Sequence, residues 1–483
     1  MNRRNFLSAT ATAAAGVAVA PARALAQSAG PSPEMRALSE YMSAAADRPL
    51  PAEAAEQAKH HLLDTLASMV SGSQLPPGLA AQQHIREFGG AGVATIAGTA
   101  LTATATDAAL ANGVMGHADE TDDSHNASRS HPGCAVVPAA LAVGEEFGVD
   151  GARLLRAVTL GYDVGTRVVI AMGGYDFGSG SSLATHSIAG TFCASAAAAC
   201  LSGLDARQMR WVLDYAAQQS SGIRAWRRDP DHIEKAFVFG GMPARNGVTS
   251  ALVVRAGWTG LEDIFTGPDN FFAAYAPEAD RGQLVDGLGE RFEIARTDIK
   301  KWTVGSPIQA PLDAIELIRA RRAFETDAVA RVTVRLAPNV AAVVDDREIP
   351  NICLQHMVAV MLLDGTVTFA AAHDEARMQD PAALSERAKV DLVHDEALDA
   401  FLPVRVAIVE IELDDGSRLS ERVEAVRGTP RNPMSRDEVI DKARDLMAPV
   451  LGDDRSERLI ETVYAIERVT DVRGLRPLLV GSE

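Results

Sequence analysis

The hydrophobic pattern of this chain changes its period once, and that change limits the possible folds more than any other feature. From about residue 33 to residue 296, apolar residues recur every three or four positions, as on the buried face of an α-helix. The stretch 187–201 is so rich in alanine that we expect a helix buried between neighbouring helices. Most of the chain should therefore form a closely packed helical domain.

A two-residue alternation replaces the helical period later in the chain. Residues 328–336 alternate in this way, which predicts a strand. Residues 404–413 and 419–426 flank a DDGS turn at 414–417, a pattern typical of a β-hairpin. Residues 351–363, between these strands, have the pattern of a helix. Together these elements predict a smaller α+β domain.

The end of the chain returns to the helical pattern. Ser435 and Glu438 have the spacing of a capping box, which is typical of a helix N-terminus. A chain of 483 residues also favours two domains over one. We therefore predict a mostly α fold, in which residues 33–296 and 431–483 form a large all-helical domain and residues 297–430 form an inserted, smaller α+β domain.

The first 26 residues have the features of an export signal and are set apart from the fold. Arg3 and Arg4 begin a twin-arginine pattern, an alanine-rich apolar run covers residues 9–20, and residues 24–26 form an A-x-A cleavage site. The apolar run is too short to span a bilayer comfortably, and a membrane anchor or a disordered start are the alternatives. We predict a twin-arginine signal peptide at residues 1–26, a periplasmic location, and no membrane segment after its removal.

Composition and missing motifs disfavour several classes of function. The formal net charge of −18 argues against a nucleic-acid partner, because no basic surface is available to replace phosphate counterions. The four cysteines form no CxxC pair, so buried free thiols are expected rather than a zinc ribbon. The sequence has no P-loop, no GxSxG elbow and no GxGxxG after a strand, which disfavours phosphoryl transfer and nicotinamide chemistry. We predict no cofactor and no metal.

The densest group of polar residues lies in the segment 117–125 and at the histidine that follows it. Four acids and three histidines in so short a stretch are costly to bury unless they are paired or used. One interpretation is a divalent metal site, but the possible ligands are too crowded in sequence to prefer one geometry and no HExxH pattern is present. Two others are proton transfer by an imidazole that carboxylates tune and an acidic loop that caps two helices. The residues are His117, Asp119, Glu120, Asp122, Asp123, Ser124, His125 and His131.

Three further residues suit an anionic ligand. His186 precedes the alanine-rich helix, where free backbone N–H groups favour anions. Lys235 and Lys300 could each pair with a substrate carboxylate, and Lys300 lies at the expected junction of the two domains. A packed histidine and solvated lysines are the alternative interpretations.

Eight segments, in this order, carry a resemblance to a known family. They are HLLDTLASMVSG (61–72), NGVMGHADETDDSH (112–125), HPGCAVVPAALA (131–142), HSIAGTFCASAAAACLSGLD (186–205), RNGVTSALVVRAGWTGLEDIF (245–265), IKKWTVGSPIQAPLDA (299–314), VAVMLLDG (358–365) and GTPRNPMS (428–435). Together they resemble the MmgE/PrpD family, which includes 2-methylcitrate dehydratase, cis-aconitate decarboxylase and iminodisuccinate epimerase. The resemblance extends from about residue 33 to the end of the chain.

The resemblance implies an architecture of the same kind, in which the inserted domain is a lid, the protein is a homodimer and the site lies between the domains. It implies that His131 and His186 are active-site histidines and that Lys235 and Lys300 are site lysines.

Five other residues bear on the resemblance. Glu120 matches the first Asp of a DFDDT-like stretch, and Ser124 matches its Thr. Gly305 stands where the decarboxylase has a further histidine, and Ala341-Ala342 stand where it has a tyrosine in the lid. These last departures disfavour cis-aconitate decarboxylation.

We therefore predict a dehydratase-like lyase or an epimerase that acts on a small di- or tricarboxylate by removing an activated C–H proton. Cations that bind the carboxylates lower the cost of the enolate-like charge formed by proton loss. The predicted catalytic residues are His131, His186 and Lys235, and the predicted substrate-binding residues are Glu120, Asp122, Ser124 and Lys300. A periplasmic carboxylate-binding protein without turnover and a helical interaction protein are the alternatives.

Overall fold

The structure, a computed structural model, describes residues 30–481. The predicted signal peptide at residues 1–26 lies outside the described residues. Within the described range the fold is mostly α, as the sequence predicts, with six short strands. None of the helices in this range is both long and apolar enough to cross a bilayer.

The helices and strands follow the chain in three groups. The first contains α1 (Pro33–Ala44), α2 (Ala52–Gly72), α3 (Pro76–Phe88), β1 (Ala94–Thr95), β2 (Thr102–Ala103), α4 (Ala105–Gly116), α5 (Gly133–Phe147), α6 (Gly151–Ala171), α7 (Gly174–Gly180), α8 (Thr185–Ser202), α9 (Ala206–Gln219), α10 (Ile233–Ala236), α11 (Met242–Arg255) and α12 (Phe271–Tyr275). The second contains α13 (Ser306–Arg321), β3 (Val329–Leu336), α14 (Pro338–Val344), α15 (Leu354–Asp364), α16 (Phe369–Ala372), α17 (Pro381–Arg387), β4 (Val390–His394), β5 (Ala407–Leu413) and β6 (Arg418–Val423). The third contains α18 (Arg436–Leu451), α19 (Asp453–Tyr464) and α20 (Arg476–Leu479).

Helix α8 lies at the centre of the helical part. All its residues except His186 are buried, and it packs against α5, α6 and α11. Small residues allow this close approach: a Cβ added to Gly165 of α6 would meet Sγ of Cys193 at 2.3 Å, and one added to Gly247 of α11 would meet Cβ of Ala194 at 2.4 Å. The prediction of a buried alanine-rich helix is therefore confirmed.

A second hydrophobic core forms around a four-stranded sheet between residues 302 and 426. The strand order is β4-β3-β5-β6, in which β3 and β4 are parallel and the other pairs are antiparallel. Helix α13 packs against β5 and β6, and α15 packs against α13 and β4. The predicted strand and hairpin are confirmed as β3 and the β5–β6 pair.

The chain leaves the helical core near Ile299 and rejoins it near Met434, since both residues belong to that core. Helix α18 then packs against α2, at the other end of the sequence. Ser435 and Glu438 form the predicted capping box at the start of α18. Two cores are therefore joined by two crossings of the backbone, which lie close to the functional residues described below.

Two boundaries of the predicted hairpin differ from the structure by about three residues, and one of them is the end of its second strand, at Val423 and not at residue 426. The first strand of the hairpin begins at Ala407 and not at residue 404, because the N–H of Val404 donates to the carbonyl of Phe401 in a turn. The three residues that the prediction placed in the strand therefore form the approach to it. One of them, Arg405, lines the cavity described next.

Candidate active site

A cavity of about 620 Å³ lies between the helical part and the α+β part. Both parts contribute side chains to its wall. Those from the helical part include Glu120, Ser124, Arg129, His131, Tyr175, His186, Arg224, His232, Lys235 and Phe239. Those from the α+β part include Gly305, Asn339, Ala342, Arg347 and Arg405.

The acidic loop that follows α4 forms part of this wall and is tied to distant parts of the chain. Lys300 and Lys442 donate hydrogen bonds to two of its backbone carbonyls, at 2.8 and 2.9 Å. His373 of the α+β part pairs with the carboxylate of Asp119 at 3.0 Å. These contacts hold the loop where the two cores meet.

His131 lies just before α5, and its two ring nitrogens have different surroundings. Nδ1 is 3.0 Å from Oδ1 of Asp122, and because a carboxylate only accepts, Nδ1 carries the proton. Nε2 has no hydrogen-bond partner in the part of the chain that the structure describes, and the residue lines the cavity. Burial lowers the pKa of His131 more than Asp122 raises it. A neutral imidazole with a free Nε2 is suited to general base chemistry.

Asp122 is fully buried behind His131. Its second oxygen accepts from Nδ1 of His117 at 2.9 Å, and Nζ of Lys300 lies 3.4 Å from the first. Burial raises the pKa of Asp122, but its interactions with His117, His131 and the ammonium of Lys300 outweigh this effect and hold the pKa well below its usual range. Asp122 therefore stays ionised, and it fixes the tautomer and orientation of His131.

Phe239 lies among three imidazoles. It belongs to a π-helical turn, Phe237–Gly241, that joins α10 to α11. Its ring stacks on that of His186 with 3.9 Å between centroids and on that of His117 with 4.4 Å, and it meets His131 edge-on at 5.4 Å. Turns of this kind often occur at functional sites, where the extra residue redirects side chains.

His186 and His232 complete a group of uncharged imidazoles. The His186 ring lies 5.5 Å from that of His131, and its buried Nδ1 has no hydrogen-bond partner within the described residues. Burial lowers the pKa of His186 well below its usual value, and burial together with Lys235 lowers that of His232 to about 3. Both side chains are therefore neutral at neutral pH.

Lys235 forms a close ion pair with Glu120 on the cavity wall. Burial raises the pKa of Glu120, but the charges of Lys235 and Lys300 outweigh it and hold the pKa well below its usual range. The ammonium of Lys235 also lies 5.3 Å from the centre of the Phe239 ring. This cation is therefore adjacent to the histidines and already has an anionic neighbour in the protein.

The structure brings the predicted site residues together, some on the surface of the cavity and others buried behind it. On the cavity wall are Glu120, Ser124, His131, His186 and Lys235. Asp122 and Lys300 lie behind the wall, and the Lys300 side chain is only 2% exposed. The bonds of Lys300 to the loop carbonyl and to Asp122 keep its ammonium away from the cavity.

Other acids of the loop serve the fold. Asp123 accepts from the N–H of Gly133 at 3.0 Å, at the start of α5, and from Nδ1 of His61 at 3.0 Å. Asp119 accepts from the N–H of Thr121 at 2.9 Å. The capping interpretation therefore describes Asp123, and Asp119 stabilises the loop itself, whereas Asp122 and Glu120 are in contact with the groups suited to proton transfer.

Two groups of side chains within residues 30–481 have a geometry that could hold a metal ion. They are His117, Asp122 and Cys134, and His117, Glu120 and His232, with the ligand atoms of each group within 4.8 Å of one another. In both groups the carboxylate already has cationic or N–H partners. Burial also raises the pKa of the Cys134 thiol well above its usual value, which opposes thiolate ligation. These pairings disfavour a divalent ion at either place.

Arginines from distant segments line another part of the cavity, and the sequence analysis did not find them. Arg129 donates to Oγ of Ser179 at 2.6 Å, and Arg224 donates to three backbone carbonyls between residues 178 and 181. Arg405 reaches the cavity from the α+β part. No spacing links these three positions, although Arg129 lies only two residues before His131.

Comparison with known proteins covers nearly the whole described chain. The model of the MmgE/PrpD N-terminal domain matches residues 36–283, and the model of the MmgE/PrpD C-terminal domain matches residues 302–468. The cis-aconitate decarboxylase-like protein oryM of Aspergillus oryzae is 26% identical over 466 residues, covering 89% of this chain and 94% of its own length.

Two further relatives are similar to the chain over the same extent. The cis-aconitate decarboxylase of Aspergillus terreus is 24% identical over 457 residues, covering 89% of this chain and 92% of its own length. The human cis-aconitate decarboxylase is 25% identical over 448 residues, covering 88% of this chain and 90% of its own length. Since both domain models match in order and the first alone spans more than half of the chain, this protein belongs to the MmgE/PrpD family.

Proposed function

We propose that this protein is a dehydratase-like lyase or an epimerase that acts on a small di- or tricarboxylate by transferring a proton at a carbon next to a carboxylate. The observation that carries the proposal is the geometry of His131, whose Nδ1–H is fixed by Asp122 while Nε2 is free at the cavity wall. A carboxylate that orients a histidine in this way is a recurrent arrangement in enzymes that move protons. The names of the relatives, cis-aconitate decarboxylases, support the lyase class.

Each predicted residue has a part in this chemistry. His131 takes the proton, and the charge that develops on the substrate carboxylate is stabilised by the ammonium of Lys235 and the hydroxyl of Ser124. The ammonium of Lys235 supplies the proton that the product or the leaving group needs, and the neutral ring of His186, which lies 5.5 Å from that of His131, donates a hydrogen bond to the same group. The positioning residues are Glu120, which pairs with Lys235, and Asp122 and Lys300, which hold His131.

Dehydration, epimerisation and the protonation that follows loss of carbon dioxide all share this proton transfer. We favour dehydration or epimerisation over decarboxylation. Gly305 and Ala342, both on the cavity wall, stand where the family resemblance places a histidine and a tyrosine of the decarboxylase. The loss of those two side chains removes the imidazole and the phenol that the resemblance assigns to the decarboxylase at this part of the wall.

Solvent-deuterium exchange tests the proposal. We expect deuterium to enter at least one member of a panel of 2-hydroxy and 2-amino di- and tricarboxylates, and His131→Ala to slow this exchange by about 10²- to 10⁴-fold. The control is His84→Ala, an exposed histidine on α3, which should leave the rate unchanged. Equal rates for His131→Ala and the unaltered protein would contradict the role of His131.

A binding protein without turnover is the second candidate, because the same cavity could hold a carboxylate without reacting with it. Isothermal titration calorimetry with the same panel separates the two candidates. Tight binding of a ligand that never exchanges its proton would favour the binding protein, whereas exchange at any position favours the enzyme.

The remaining proposals concern location and assembly. The twin-arginine pattern at the start of the sequence supports export to the periplasm, and the family resemblance supports a homodimer. Cell fractionation and the molar mass in solution test these two proposals independently of the chemistry.

A further inference from the structure

Positive charge is divided unevenly along the cavity wall. Beside the histidines, Lys235 pairs with Glu120 and Lys300 pairs with Asp122. The neighbouring imidazoles are neutral, because burial lowers the pKa of each. This part of the wall therefore has almost no net charge with which to hold a multiply charged acid.

Along the part of the wall lined by Arg129, Arg224 and Arg405, positive charge is not balanced by carboxylates in this way. The guanidinium carbon of Arg129 lies 5.3 Å from the centre of the Tyr175 ring, and its Nη1 is 2.6 Å from Oγ of Ser179. Nη1 of Arg224 donates to the carbonyls of residues 178, 179 and 181 at 2.9, 3.1 and 2.7 Å. Both guanidiniums are thus held by neutral partners at one end of α7, and no described carboxylate pairs with either of them.

Arg405 approaches the same place from the α+β part. It is half-buried, and within residues 30–481 its guanidinium has neither a hydrogen-bond acceptor nor an ion-pair partner in range. It interacts electrostatically with Asp298 and Glu120, but burial raises the pKa of Asp298 to about 7, and an oxygen of Asp298 already accepts from Asn126 at 2.6 Å. The carboxylate of Glu120 is already paired with Lys235. A partly desolvated guanidinium without a full counter-charge is costly, and an anionic ligand would remove that cost.

We propose that Arg129, Arg224 and Arg405 form a carboxylate subsite that is separate from the histidines and binds the part of the substrate remote from the reacting carbon. This inference rests on the proposed function and names the substrate class, a tricarboxylate in which one carboxylate lies beyond the reach of Lys235. Guanidinium groups suit this task because their paired N–H donors match the two oxygens of a carboxylate. Because Arg405 comes from the α+β part, the subsite is complete only when both parts of the chain face the ligand.

Two unreactive ligands that differ by one charge test the subsite. The probes are propane-1,2,3-tricarboxylate and its monoamide, in which a terminal carboxylate becomes a neutral carboxamide, and affinities are measured by titration calorimetry. We expect the unaltered protein to bind the acid about 10- to 100-fold more tightly than the amide. In Arg405→Gln this preference should fall to within about threefold, because the affinity for the acid drops while that for the amide is retained.

Two further variants keep the result interpretable. Arg405→Lys retains the charge without the paired donors, so it should keep part of the preference for the acid. It also replaces Arg405→Gln in the test if that variant does not fold. Arg331→Gln removes an exposed arginine of β3 that pairs with Asp391, and it should leave the preference unchanged.

Three outcomes would overturn the subsite: Arg405→Gln retains the full preference, it weakens both ligands equally, or the unaltered protein binds neither of them. Because the ligands are saturated acids, the measurement does not depend on turnover. If proton exchange fails while the charge preference is lost in Arg405→Gln, the lyase proposal is rejected and the subsite remains. If exchange succeeds while the preference persists in that variant, only the subsite is rejected.

Discussion

Asp122 is the residue on which the geometry of the site depends most. It accepts hydrogen bonds from His117 and His131 and lies next to Lys300, with no exposed surface of its own. Burial lowers the pKa of His131, and the negative charge of Asp122 offsets part of that decrease. One carboxylate therefore controls the tautomer, the orientation and the basicity of the proposed base.

Replacing this carboxylate should change the pH dependence of the reaction. We expect Asp122→Asn to lower the exchange rate about 10²- to 10⁴-fold, because the amide no longer fixes the tautomer of His131. Loss of the negative charge also lowers the pKa of His131 further, so protonation of the base, and with it the acid limb of the rate profile, moves to lower pH. The measurement is the exchange rate as a function of pH.

A matched variant separates this effect from a loss of stability. Asp64→Asn removes another buried carboxylate, which pairs with Lys442 at 2.6 Å and does not touch His131. It should destabilise the protein in a similar way without moving the acid limb. The same shift of the acid limb in both variants would show that Asp122 acts only through the fold.

At the residue scale, sequence patterns identify some of the site and not the rest. His131 and His186 were found because each lies in a segment that resembles the family. The arginines were not found, since positions 129, 224 and 405 meet only through the tertiary fold. Nor does a sequence show whether a lysine such as Lys300 faces a cavity or a buried carboxylate.

At the scale of elements, regular periods were predictable and local irregularities were not. The alanine content of α8 predicted its burial, because only small side chains let several helices approach one helix so closely. The π-helical turn Phe237–Gly241 has no signature in the apolar pattern, since a single wider turn does not disturb it enough. That turn carries Phe239, and for this reason the aromatic centre of the site was not predicted.

The close packing of α8 predicts how it responds to one extra methyl group. We expect Gly247→Ala to destabilise the protein by about 1–3 kcal/mol, because the new Cβ would lie 2.4 Å from Cβ of Ala194 and 2.5 Å from the backbone nitrogen of Ser195. Gly474→Ala is the control, since nothing lies within 4 Å of its added Cβ. Chemical denaturation compares the two variants, and equal midpoints would show that α8 and α11 can separate without cost.

At the scale of the whole molecule, the acidic loop after α4 joins the two cores. Asp119 of this loop pairs with His373, which lies in the α+β part just after α16. Nδ1 of His373 is 2.8 Å from the carbonyl of Phe369, so this nitrogen must donate, while Nε2 is 3.0 Å from Oδ2 of Asp119. Since the carbonyl and the carboxylate only accept, His373 satisfies both only as the imidazolium. The amide nitrogen of Asn351 lies 3.5 Å from the same Nε2, at the outer limit of a hydrogen bond.

This pair should make the attachment of the α+β part depend on pH. Burial lowers the pKa of His373, but the hydrogen bond and charge of Asp119, with help from Asp445, outweigh burial, and the pKa is raised. A raised pKa means that the stabilisation is fully present below about pH 6.5, the value of an unperturbed histidine, and is lost as the pH rises through the folded-state pKa. Asp119 sets the acid limit of the pH range in which the pair stabilises the fold. Its pKa is lowered, so its contribution to stability is lost only as the pH falls through that low value.

We expect His373→Gln to destabilise the protein by about 1.5–3 kcal/mol at about pH 6, and this penalty should shrink as the pH rises through the raised folded-state pKa of His373. His394→Gln is the control, because His394 belongs to the same α+β part but forms an exposed pair with Asp345. Thermal unfolding of both variants and the unaltered protein as a function of pH gives the comparison. A His373→Gln penalty that is constant with pH would mean that the neutral imidazole holds the loop equally well, and the argument from its two acceptors would then be wrong.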